Sequence, residues 1–248
     1  MPTKNAKLLS VLAAFSHERP ALTLSEISRA TGLPLSTAHR LADELRCWGA
    51  LERDGRQRYT VGLRLWEVGS LAPRAYGLRD SALPFMGDLY ETTRENVQLG
   101  VLDGGEVLLI EVLSGHRAVE LVAGMGGRLP LHASGLGHVL LAHASAQFVE
   151  RVLSGPLPAY TPHTLTAPAR LRSALAAIHE TGAAVSREAL GLGSISVAAP
   201  ITGRRGAVVA ALSLVVPVDG AHTAALVPAV RTAANGISRV LASGPGER

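Results

Sequence analysis

Apolar positions in the first third of the chain recur at helical spacing and then change to strand alternation. Thr23 followed by Glu26 is a capping box, so a helix should begin there with Leu24, Ile27 and Ala30 on its inner face. Gly32 permits a turn, Leu33 fills the angle between helices, and Pro34 suits the first turn of the next helix. From Ser36 a helix of about three turns should carry Ala38, Leu41 and Leu45 inward. After Gly49 the period shortens. Residues 50–53 and 57–61 read as two strands around Asp54-Gly55, a dipeptide expected to take the left-handed geometry of a tight hairpin.

Residues 62–71 return to helical spacing, with Leu63, Trp66, Val68 and Leu71 forming an apolar surface, and Pro73 and Gly77 punctuate the start of the next segment. A tryptophan and several leucines here predict a connecting helix or dimer contact, not a flexible linker. Beyond it the pattern alternates. A helix over 79–94 should use Leu83, Met86 and Leu89, and strands at 97–102 and 106–113 should pair across Asp103-Gly104-Gly105. A third strand is expected at 118–123, then helices from about 134 to 142 and 146 to 153, a Pro- and Thr-rich loop at 154–165, and a helix at 167–181. Strands at 183–187, 194–200 and 207–216 and a helix at 222–241 complete the series. This order predicts an α/β chain of the α+β kind, whose larger domain is built on a mainly antiparallel sheet. The expected division is a winged helix-turn-helix over 1–61, a linker helix over 62–78 and a second domain over 79–243.

Helix, glycine turn, helix and basic hairpin are the parts of a winged helix-turn-helix that enters a DNA major groove. Ser36, Thr37, His39 and Arg40 would offer short polar groups and a guanidinium fork to base edges and phosphates, and Arg53, Arg56 and Arg58 would form a basic wing along the flanking backbone. Charge sharpens this reading. Residues 1–75 hold 11 Lys or Arg against 7 acidic residues, whereas residues 76–248 are balanced at 13 each, so the net +4 lies wholly in the first third. Lys4 and Lys7, the only lysines, stand at its start as further phosphate contacts or as solvated terminal charges.

Candidate chemistry is otherwise sparse. Cys47, beside Trp48, is expected to be buried packing, and a single cysteine permits no internal disulfide. His132, His138 and His143 invite a metal reading, but His138 and His143 are five residues apart and no carboxylate or cysteine completes a set. Glu106 and Glu111 do not form a convincing acid-base pair, and Gly124-Met-Gly-Gly lacks the ending of a phosphate loop. No cofactor, metal or catalytic residue is therefore expected. No apolar run is long enough for a membrane span and no leader is evident, which predicts a soluble cytoplasmic protein. Two other classes stay open: a winged-helix protein-interaction module without specific DNA binding, and a small-molecule enzyme using a pocket in the second domain.

The segments TGLPLSTAHRL (31–41), RYTVGLRLWEVG (58–69), GGRLPLHASGLGHVLLA (126–142), ETGAAVSREALGLGSISVAAPI (180–201) and VVAALSLVVP (208–217) occur in the order of the IclR family of bacterial transcriptional regulators, which the chain resembles from its first helix to residue 241. The resemblance implies a ligand-responsive regulator of a catabolic or metabolic operon, repressor or activator. It implies a GAF-like effector domain and homodimers, or tetramers made of two dimers, on operator DNA. It also implies an effector site at Gly135 and Leu136, where backbone amides at a helix start hold a carboxylate, lined further by Ser186, Ser196, Ser213 and Val215 with Leu121 and Leu129 as apolar walls. Relative to the family pattern, Ser186 stands for a frequent Asp, Ser196 for Cys, Val215 for Ser and His138 for Lys. That exchange removes an acid and adds apolar surface, pointing to a larger, less polar effector, aromatic in character. Leu35 stands where Lys or Arg is common, which places more weight on Arg40.

Overall fold

The computed structural model describes residues 3–115, 118–219 and 221–243. It divides into two compact units, Met1–Tyr76 and Gly77–Arg248.

In the first unit, α1 (Lys4–Leu12), α2 (Leu24–Thr31) and α3 (Leu35–Trp48) enclose a small core with a three-stranded sheet. Thr23 caps α2 as its sequence demands: its hydroxyl accepts from the Glu26 amide while the Glu26 carboxylate accepts from the Thr23 amide at 2.7 Å. Ile27, Ala38, Leu41, Ala42 and Leu45 are buried against Val11, Leu51 and Tyr59. Ala30, expected inside, is exposed, because α1 and α3 cover this short helix around Ile27 and leave its last turn open. Cys47 is exposed as well. It lies two residues past Leu45, about 200° around the helix from that buried position. The hairpin strands β2 (Leu51–Arg53) and β3 (Tyr59–Val61) pair as expected, but β3 also pairs with a two-residue strand, β1 (Ala21–Leu22), too short for an apolar pattern to reveal. The left-handed turn residue is Gln57 (φ 61°), not Gly55. Asp54 organises this longer turn through its carboxylate, which accepts from the amides of Arg56 and Arg58 at 2.9 Å each.

The stretch expected to hold one linker helix and then a separate one is organised differently. α4 (Leu63–Gly69) stops at Ser70, and α5 (Pro73–Thr93) already begins at Pro73, where a proline needs no amide, so Gly77 sits within a helix and breaks nothing. The apolar side chains of Leu63, Trp66, Val68 and Leu71 on and just after α4 are exposed as expected.

The second unit is built on one antiparallel sheet of order β6-β5-β4-β9-β8-β7: β4 (Asn96–Asp103), β5 (Glu106–Leu113), β6 (Arg128–Pro130), β7 (Ala184–Arg187), β8 (Ser194–Thr202) and β9 (Val208–Pro217). The β4–β5 turn uses Gly104 and Gly105 at φ 59° and 101°, a pair of positive angles that suits the twist of a two-residue hairpin. Leu99, Val197, Leu212 and Leu214 pack on one face against Ala82 and Met86 of α5 and Val230, Ala234 and Ile237 of α9 (Thr223–Ser243). The other face is covered by α6 (Gly135–Ala142), α7 (Ala146–Leu153) and α8 (Pro168–Thr181), which bury Val139, Leu141, Leu153, Leu171 and Ile178. Each such side chain contributes about 1.5–3 kcal/mol on burial. In α5 the inward positions are Ala82, Met86 and Leu89, and Leu83 is only half-buried.

The strand expected at 118–123 does not form. That segment runs without regular structure to a turn at Gly124–Gly127 and joins the sheet only as β6, because pairing of Arg128–Pro130 with β5 already completes that edge.

Candidate functional site

Two arrangements stand out, one in each unit. In the first, the N-terminal half of α3 presents Ser36, His39 and Arg40 to solvent, with Thr37 half-buried beside them. The following turn carries acids. Asp43 lies 3.7 Å from His39 and 3.1 Å from Arg46, and Glu44 lies 3.6 Å from Arg40 and 3.2 Å from Lys4. The Arg46 hydrogen bond is the main cause holding the Asp43 carboxyl below its ordinary pKa. The face suited to a polyanion is thus the start of the helix, and its later turns are neutralised. Leu35 is exposed at this end, an apolar group among polar ones.

The wing arginines differ in what they do. Arg58 donates to the Asp54 carboxylate through Nε and Nη2 at 2.8 Å and holds the turn closed. Arg53 donates to the Tyr59 hydroxyl at 2.6 Å and lies over that ring. Arg56 is exposed at the tip and makes no ion pair among the described residues. Their spacing makes the three look equivalent; the structure leaves Arg56 as the wing cation available to a new partner.

In the second unit, a cavity of about 580 Å³, counting its open mouth, lies between the sheet and the start of α6. Ser134 caps this helix by accepting from the Gly137 amide at 3.1 Å. The amides of Gly135 and Leu136 have no acceptor among the described residues, so two donors and the positive end of the helix face the cavity. Glycine is required at 135 for closeness: a Cβ there would stand 2.5 Å from the Ser196 hydroxyl.

Sheet register explains the cavity floor. Asn96, Val215, Ser196 and Ser186 form one cross-strand row, and Gln98, Ser213 and Ala198 form the next row on the same face. Leu121, Leu129, Gly135, Leu136, Ser186, Ser196 and Val215 all line the cavity, as the motif positions imply. Ser213 does not. It is fully buried and donates to Gln98 Oε1 at 3.3 Å, and Gln98 is the residue at the wall. Asn96, which the motifs also do not mark, donates to the Val119 carbonyl at 2.7 Å and pins the irregular segment whose next residues, Glu120 to Val122, form a side of the cavity. The signal for both lies in the strand NVQLGVL, where two amides alternate with apolar residues in a strand buried on both faces. The opposite wall follows Glu188, left-handed at φ 52°, and is held from outside by Thr161 donating to the Glu188 carbonyl and Thr164 to that of Ala189, each at 2.6 Å.

No lysine or arginine lines this cavity among the described residues, so its positive element is the helix terminus; leucines, valines and serines surround it, and Gln98 and the acids Glu120 and Glu188 lie on its walls. The histidines do not gather. His138 is buried, with Nε2 donating to the His132 carbonyl at 2.7 Å, and desolvation holds its pKa below the ordinary value. His132 Nε2 meets the Pro158 carbonyl at 2.9 Å, and His143 is exposed with Nδ1 against the Val139 carbonyl. Among the described residues no three His, Cys, Asp or Glu side chains could hold a metal ion together, and no helix is long and apolar enough to cross a membrane.

Comparison with known proteins agrees with both arrangements. The IclR helix-turn-helix domain profile matches residues 6–55, and that of the bacterial transcriptional regulator IclR C-terminal domain matches residues 73–239. The chain is 32% identical over 210 residues to the HTH-type transcriptional regulator XynR of Escherichia coli, covering 84% of this chain and 83% of that one. It is 35% identical over 222 residues to the HTH-type transcriptional regulator BhcR of Paracoccus denitrificans, covering 88% and 80%. Among solved structures, an IclR homologue from Microbacterium hydrocarbonoxydans in complex with 4-hydroxybenzoate is 41% identical, with a TM-score of 0.93 over 98% of this chain and 100% of that one. With a winged reading head in one unit and a helix-capped cavity in the other, the chain belongs to the IclR family of bacterial transcriptional regulators and is a ligand-responsive DNA-binding regulator.

Proposed function

We propose that this regulator acts as a homodimer on a two-part operator and that its effector is an aromatic carboxylic acid. Residues 1–61 read DNA, 62–78 carry the signal and 79–243 bind the effector and assemble the protein. Within the head, Ser36, Thr37, His39 and Arg40 meet the major groove while Arg53 and Arg56 follow the backbone, with Arg58 holding the wing in shape. One short recognition helix reads few base pairs, so two copies are needed for useful specificity. The exposed Leu63, Trp66 and Leu71 supply apolar surface for such pairing.

The observation that carries the effector assignment is a cavity whose positive element is a pair of free amides at a helix start and whose apolar walls, Leu121, Leu129, Leu136 and Val215, leave a place for a hydrophobic body beside the polar Gln98, Glu120 and Glu188. Such a site suits one carboxylate attached to a flat hydrophobic body. The 4-hydroxybenzoate complex of the Microbacterium homologue supports the same class. Calorimetric titration against benzoates and short oxo-acids, with footprinting of the neighbouring promoter in their presence, tests this. We expect benzoates to bind and to change the footprint; binding by oxo-acids alone refutes the assignment.

A further inference from the structure

Gln98 is a buried side chain at the cavity wall with half of its amide already engaged. Ser213, fully buried beside it on β9, donates its hydroxyl to Oε1. That contact anchors the amide, in this structure with Oε1 toward Ser213. With oxygen turned toward Ser213, Nε2 presents two N–H groups, and among the described residues it donates to nothing in the protein. Those N–H groups open on the cavity, where a ligand acceptor can replace solvent as their partner.

The position of Gln98 fixes which part of a ligand it would meet. Gly135 lies directly over Ser196, so the helix-terminal amides mark one end of the site. From Ser196 the register passes through Val215 to Asn96, and Gln98 is two residues farther along β4. Two strand spacings of about 4.8 Å and two residue rises of about 3.3 Å separate Ser196 and Gln98 by roughly 12 Å. That figure separates Cα atoms; the Gln98 amide leans back toward Ser213, so the donors stand closer and suit a body no longer than one benzene ring with oxygens at its para positions.

We propose that Gln98 is a specificity-determining residue that donates a hydrogen bond to an acceptor oxygen para to the effector's carboxylate, and that Ser213 is the positioning residue that anchors the amide at this wall. The inference rests on the aromatic-acid reading above and narrows it to para-oxygenated benzoates. The pairing explains why a serine with no access to the cavity sits in its second row.

The test is calorimetric titration of the full-length protein with benzoate, 4-hydroxybenzoate and 4-aminobenzoate, in the wild type, Gln98→Leu and Ser213→Ala. Thermal melting of each variant confirms that it is folded. The wild type should prefer 4-hydroxybenzoate over benzoate by about tenfold, the scale of one hydrogen bond to a buried amide, and should prefer it over 4-aminobenzoate, whose substituent is a poor acceptor. Gln98→Leu should bring the first ratio to about one. Ser213→Ala frees the amide to rotate and should narrow the gap between the hydroxy and amino compounds, an effect that looser packing would not produce. Equal affinity of the wild type for benzoate and 4-hydroxybenzoate, a preference for 4-aminobenzoate, or a preference that survives Gln98→Leu overturns the role of Gln98 while the aromatic-acid reading stands. Failure of every benzoate to bind overturns both.

Discussion

The close approach of α6 to the sheet at the cavity of the second unit can be tested by adding one methyl group. Gly135→Ala would place a Cβ 2.5 Å from Ser196 Oγ and 3.1 Å from Ser196 Cβ. The hydroxyl contact is the severe one: the serine must leave its present rotamer or α6 must lift from the sheet, whereas the Cβ contact asks for a shift of only a few tenths of an ångström. Overpacking of this kind costs about 1–3 kcal/mol, offset by up to about 1 kcal/mol of helix preference for alanine over glycine, which leaves a net loss of about 1–2 kcal/mol. Ser196→Ala alone removes a half-buried hydroxyl with no hydrogen bond among the described residues and should change stability by less than about 0.5 kcal/mol. In the double variant the hydroxyl is gone and most of the penalty should disappear. Urea unfolding of the four proteins, followed by far-ultraviolet circular dichroism through the transition of the C-terminal unit, gives the coupling energy. We expect about 1–2 kcal/mol. Additivity within about 0.5 kcal/mol, or a neutral Gly135→Ala, would refute the close approach. Gly137→Ala provides a contrast: its Cβ would run into the Leu131 backbone, so no substitution at Ser196 can rescue it.

Particular contacts set three other outcomes. Arg40→Ala should weaken operator binding about tenfold in a gel-shift titration at fixed salt and reduce the salt slope by about 0.9 per protomer; an unchanged titration would remove Arg40 from the contact face. Because burial lowers the His138 pKa in the fold, the unfolded chain binds the proton first on acidification. Stability from this group is therefore present above its ordinary pKa, about 6.5, and lost as pH falls through its depressed folded value. Melting of His138→Gln between pH 7 and 5 should accordingly be flatter than wild type, and parallel curves would contradict that account. Asn96→Leu should cost about 1–3 kcal/mol by leaving the Val119 carbonyl without its donor, and should weaken effector binding in calorimetry although Asn96 does not line the cavity; unchanged affinity would mean that the 120–122 wall is held by other contacts.

Where local chemistry alone decides the structure, sequence is enough. The Thr23–Glu26 box and the Gly104-Gly105 hairpin each depend on residues a few positions apart, and each forms as its pattern predicts. Long-range competition is not legible. The segment 118–123 has strand-like composition, but the edge of β5 is taken by Arg128–Pro130, and no local signal reveals which of two segments wins an edge. Cys47 reads as buried because its neighbour is apolar, although its helical phase turns it away from Leu45. The motif positions converge on the cavity, yet Ser213 stands behind Gln98, because alternation gives the face a side chain occupies and not the neighbour standing before it. Asn96 and Gln98 are legible in principle as polar interruptions of a buried strand.

The carboxylates of Asp43 and Glu44 bear on how such a head finds its operator on a chromosome. They already pair with Arg40, Arg46 and Lys4, so any phosphate backbone must compete with an internal anion for those cations. Exposed pairs of this kind contribute little, a barrier that base-specific hydrogen bonds can exceed and bare phosphate contacts barely do. Random DNA then holds the protein weakly and briefly, leaving a larger share of its molecules free to search. A modest net charge serves this purpose better than a strongly basic face, which would strand each molecule on the many wrong sites.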